Sequence, residues 1–109
     1  MISSERQGAV DVIKITGRLD TEQIGGLAKA VGPLLKPGVR VVIDLSRVTV
    51  ADGAGLEWLL DVLDEAVALG GEVKLAAATP LIDDVLGMTG VGDRFDRHGS
   101  VLCAVGGFA

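Results

Sequence analysis

In this 109-residue chain, the stretch whose residue types and spacing bear most directly on chemistry is Asp52-Gly53-Ala54-Gly55-Leu56. It follows the β-branched apolar run at 39–45 and opens a helical series of Leu56, Leu59, Leu60, Leu63 and Val67. A strand that feeds a helix through two glycines leaves backbone N–H groups at the positive end of the helix dipole. Such a turn can hold an anion or a charge-operated switch. Asp52 is also a natural N-cap, and Gly53 and Gly55 suit a tight strand-to-helix turn. On residue types alone, then, the junction is an anion-tolerant turn.

The remaining reactive side chains form no constellation. His98, in Asp96-Arg97-His98-Gly99-Ser100, reads as part of a polar surface turn and not as a catalytic base. Cys103 lies in the apolar run 101–105 and reads as a small buried hydrophobe, with no cation adjoining it there to stabilise a thiolate. No phosphate-cradling G-x-x-x-x-G-K-[ST] and no G-x-S-x-G elbow is present. One His and one Cys give no zinc spacing. No catalytic residue, metal or cofactor is therefore expected. Glu57, Asp61, Asp64 and Glu65 make an acidic strip on the helix after Asp52, either a solvated face or a surface for a basic partner. Trp58, the sole tryptophan, is either core rim or a contact anchor.

Several elements must position these residues. Residues 9–16 read as a strand bounded by Gly8 and Gly17, with room for a short strand before it. Asp20 is a good N-cap for a first helix whose apolar face is Ile24, Leu27, Val31, Leu34 and Leu35. Pro33 kinks or divides that helix, and Lys36-Pro37-Gly38 stops it. The central strand, the junction and the second helix follow, closed by Gly70-Gly71. Residues 72–78 read as a strand. Thr79 and Pro80 start a third helix with Leu81, Ile82, Val85, Leu86 and Met88 inside. Residues 101–105 read as a last short strand. Strands alternating with helices predict an α/β fold: a mostly parallel mixed sheet of four to five strands with helices packed against it, one domain over residues 1–109.

Composition narrows the function classes. With 49% hydrophobic and 23% charged residues the chain is an ordinary folded protein, and 3% aromatics make its core aliphatic. The net charge of -5 disfavours nucleic acid and anionic lipid as partners. No apolar run approaches the ~20 residues of a membrane span, so no membrane insertion is expected. The N-terminus carries no basic segment followed by an apolar stretch, and the expected location is cytoplasmic.

Gly-Arg-Leu-Asp at 17–20, Val-Ile-Asp-Leu-Ser-Arg-Val-Thr at 42–49 and Asp-Gly-Ala-Gly-Leu at 52–56 together resemble the STAS domain. More closely, they resemble bacterial anti-sigma factor antagonists. The resemblance implies a protein-binding regulator, not an enzyme, that binds an anti-sigma factor serine protein kinase. In such proteins the kinase phosphorylates a Ser or Thr two residues after the Asp. Here that position is Ala54, which has no hydroxyl to accept phosphate, and its neighbour is Gly53. The implied binding residues are Asp52, Gly53, Ala54, Gly55 and Leu56, joined by Asp20 and Thr21; Trp58 is added from helix geometry.

Three readings follow: an antagonist not switched by phosphate at this loop, a STAS subunit of a phospholipid-transport ABC complex or stressosome-like assembly, and, weakest, a small enzyme or nucleotide binder. A homodimer is left open.

Overall fold

The computed structural model describes residues 2–108. It is an α/β fold built on five strands in a single mixed sheet and four helices. Strand β1 (Ile2–Gln7) and β2 (Val10–Leu19) form an antiparallel hairpin. Helix α1 (Thr21–Val31) then leads to β3 (Arg40–Ala51), and α2 (Gly53–Ala68) to β4 (Glu72–Ala76). Helix α3 (Pro80–Thr89) leads to the three-residue β5 (Asp96–His98), and α4 (Val101–Gly106) closes the chain. Strands β2 to β5 run parallel, and the order across the sheet is that of the chain.

Right-handed crossovers between successive neighbours place the connecting helices on one face. Alternation along the strands sorts the side chains accordingly. Ile13, Ile15, Val41, Ile43, Leu45, Val73 and Leu75 join the core cluster that holds the buried residues of α1, α2 and α3. Their neighbours Val10, Val12, Val42 and Ala76 point the other way, into a smaller cluster under Ala104 of α4. The central strand is therefore buried on both sides, which is what its unbroken apolar run predicts.

Buried among the even-numbered positions of that second face is Lys74, 3% exposed. Its ammonium reaches Asp96 at 2.7 Å and Glu72 at 3.2 Å, and lies 5.0 Å from the centre of the Phe108 ring. The hydrogen bond to Asp96 raises the Lys74 pKa above its ordinary value, against burial, and in return holds the Asp96 carboxyl low.

Several expectations are corrected. The run 101–105 is helical, because Ser100 caps it by accepting a hydrogen bond from the Cys103 N–H at 3.1 Å. Only Ala104 of that helix is buried, so Cys103 is exposed and not a core residue. The last strand comes earlier, at Asp96–His98, and takes His98 out of the expected turn. Strand β4 stops at Ala76, since Ala77 turns with φ 57°. Pro33 does divide the first helix, which passes into a 3₁₀ turn at Gly32–Leu34. On α2 the buried stripe takes in Trp58, Val62 and Ala66 and leaves Val67 exposed. On α3 only Ile82 and Leu86 are buried, while Leu81 and Met88 face out. Among the described residues no helix is long and apolar enough to cross a membrane.

Candidate functional site

The parallel arrangement brings the C-terminal ends of β2 and β3 side by side, and each strand hands over to a helix there. Crevices outside the carboxyl ends of such strands are where open α/β sheets bind ligands and partners. Each helix opens on an aspartate. Asp20 caps α1, its Oδ1 accepting from the Gln23 N–H at 3.3 Å while Oδ2 pairs with Arg18 Nε at 2.6 Å. Asp52 caps α2, its Oδ1 accepting from the Gly55 N–H at 2.9 Å.

One carboxylate ties the two helices together. Asp52 Oδ2 also accepts from the Thr21 N–H and the Thr21 hydroxyl, both at 3.3 Å. The Asp52 N–H in turn donates to the Leu19 carbonyl at 3.1 Å. The start of α2 is thus laced to the end of β2 and to the first residue of α1. The Gly55 N–H holds the Asp52 carboxyl below the ordinary carboxylate range; burial opposes this, and the Thr21 donors and the Ala54 N–H add to it.

Gly55 is fixed by close approach. A Cβ there would run into the Leu19 carbonyl oxygen, backbone that cannot swing aside. Gly53 has open space around it. The approach sets the floor of the site: Gly55 and Leu56 are buried, Ala54 is half-buried, and Thr21, Asp52 and Gly53 are exposed. Of the residues expected here, Asp20, Thr21 and the 52–56 loop are therefore brought together. Trp58 is not on that surface. It is 6% exposed and packs in the main core, leaving an edge on a groove between α1 and α2.

Two residues at this end of the sheet were missed in the sequence. Arg18 pairs with Asp20, and an Arg two residues before a capping Asp is a readable signal for that. Val50, 46% exposed and registered against Arg18, leaves an apolar side chain beside the loop, and nothing in the sequence marks it as outward. Thr49 donates its hydroxyl to the Gly17 carbonyl at 3.1 Å and so braces the same strand ends.

The helix N-terminus already holds an anion of its own: the Asp52 carboxylate takes the Gly55 N–H and draws on that of Ala54. A larger cavity, about 400 Å³, lies at the ends of β4 and β5, but the Arg97–Asp83 ion pair at 3.0 Å neutralises its cation. His98 is half-buried there, its Nε2 enclosed and without a hydrogen-bond partner among the described residues. Among the described residues no group of three or more His, Cys, Asp and Glu side chains could hold a metal ion.

The family model described as "Mlab, STAS domain" matches residues 2–102. The chain belongs to the STAS domain family. No curated protein matches it. Among solved structures, the STAS fold seen here is similar to an anti-sigma factor antagonist from Mycobacterium paratuberculosis, with TM-score 0.86 and 23% identity over 98% of this chain and 92% of that one. It is also similar to the Bacillus cell fate determinant SpoIIAA in its phosphorylated form, with TM-score 0.74 and 16% identity over 100% of both chains. A third likeness, TM-score 0.78 at 15% identity, is to a murine solute carrier anion transporter; it covers 93% of this chain and 18% of the transporter. At these identities the likenesses show the STAS fold and no more.

Proposed function

We propose that this STAS domain is a non-enzymatic, cytoplasmic regulator of the anti-sigma factor antagonist type, acting as one domain without a cofactor. Its partner is a serine-kinase-type anti-sigma factor, docked over Thr21, Asp52, Gly53 and Ala54. The observation that carries the reading is the laced start of α2. Ala54 lies at the second residue of a helix whose entry is pinned from two sides, on a surface exposed enough to be covered. A phosphate there would add about -1.5 to -2 charge without unfolding the helix. Alanine cannot take it, so the domain stays competent to bind whatever the kinase does.

The test is reconstitution with the kinase-like anti-sigma factor of the native cell. Binding that is the same with and without ATP, together with phosphate transfer to an Ala54→Ser variant, is the expected result. A kinase proven active on another substrate that ignores both proteins would sink the reading. A second reading, a STAS subunit of a transport assembly, draws support from the family model named for Mlab and from the likeness to a transporter. Copurification with a membrane-associated ATPase in place of a kinase would favour it.

A further inference from the structure

The crease between α1 and α2 is a separate feature from the loop at their N-termini. It forms a groove of about 300 Å³ whose floor is apolar, with Ile24, Val31, Trp58 and Val62 among its lining residues. One wall carries Asp61 and Glu65, four residues apart on α2 and both exposed. Neither has a basic partner among the described ion pairs, whereas their neighbour Asp64 is neutralised by Arg94 at 2.9 Å. The opposite wall is uncharged. Ala28, Gly32 and Leu35 line it, and a Cβ built on Gly32 meets nothing within 4 Å, so the fold itself does not require glycine there.

We infer that this groove docks an amphipathic helix of a basic protein partner, its apolar stripe on the Trp58 floor and its Lys or Arg flank against Asp61 and Glu65. A groove between two helices accepts a third by ridges-into-grooves packing, and small residues on one wall let its axis come close. Charge decides the occupant. A second copy of this chain would bring the same -5 and the same acidic rim, and an anionic membrane would be repelled. The inference does not depend on the antagonist reading, since the groove runs along the helices and not over Ala54.

Trp58 is the only tryptophan, so its emission reports occupancy directly. The probes are two synthetic amphipathic helices with leucines at i, i+3, i+4 and i+7, one flanked by lysines and the other by glutamates. The lysine-flanked peptide should change Trp58 emission saturably, weaken with added salt and bind roughly tenfold tighter than its twin. Ala28→Phe, which fills the groove from an exposed position, should cut that affinity about tenfold. The double change Asp61→Lys and Glu65→Lys should reverse the preference between the peptides. Amide shifts should be confined to α1 and α2. No saturable change, equal binding of both peptides, or shifts centred elsewhere would overturn the inference. So would self-association of the unliganded protein that Ala28→Phe abolishes, because the occupant would then be a second copy.

Discussion

A single carboxylate, Asp52, serves as cap, as brace between helices and as the negative edge of the proposed docking surface. Replacing it with Ala frees the N–H groups of Gly55 and Thr21 together. The melting temperature should therefore fall further than for Thr79→Ala, which removes only the cap of α3 at about 1 kcal/mol; calorimetry on the two variants compares them. The same contacts give a pH signature. The folded-state pKa of Asp52 lies below its unfolded value near 3.8, so the unfolded chain binds the proton first on acidification. Its stabilisation is complete above that value and lost as pH falls through the folded pKa, a window Asp96 shares. Lys74 has the opposite sign: its contribution is complete below 10.5 and lost as pH rises through the raised folded value. Urea unfolding of Asp52→Asn should show a shallower acid limb and an unchanged alkaline one. Gly55 supplies a sharper pair. Gly55→Ala should cost about 1–3 kcal/mol through collision with the Leu19 carbonyl, while Gly53→Ala should be neutral or stabilising by up to about 1 kcal/mol.

Between strand and helix, the legible parts of this chain were those governed by local chemistry. Asp20, Asp52 and Thr79 announce helix starts because an N-cap is a contact within one turn, and all three cap as expected. What could not be read was set by partners distant in sequence. The Val101–Val105 run is too short for periodicity to separate strand from helix, and the Ser100 cap that starts the helix shows only in the structure. Leu81 and Met88 have the spacing of an inner face, yet α3 turns Ile82, Val85 and Leu86 inward and leaves those two outside, against a sheet whose position no local signal gives. Likewise the tie from Asp52 to Thr21 spans 31 positions and appears only once β2 and β3 lie side by side. The helices also differ in how firmly they are held. Leu59→Ala in α2, fully buried, should cost about 2–5 kcal/mol in chemical denaturation. Helix α4, with one buried residue and one side-chain cap, should exchange its amide hydrogens first, and Ser100→Ala should speed that exchange without moving the global midpoint by more than the roughly 1 kcal/mol of a cap.

At the scale of the whole molecule, two cores share one sheet, and β2, β3 and β4 contribute to both. That sharing predicts a single cooperative transition with equal calorimetric and van't Hoff enthalpies, near 60–80 kcal/mol for a chain of about this length. Two resolved transitions would show that the α4 face melts independently and that the chain is not one folding unit. The sheet's order has a further consequence for synthesis. Strand order follows chain order, so each strand leaving the ribosome finds the edge it must pair with already complete, and no finished ladder has to open to admit a latecomer. The cover arrives last. Until α4 emerges, Val10, Val12, Val42 and Ala76 form an uncovered apolar patch on an otherwise assembled sheet. A ribosome stalled before Val101 would therefore display a nearly finished domain that chaperones still recognise as nascent.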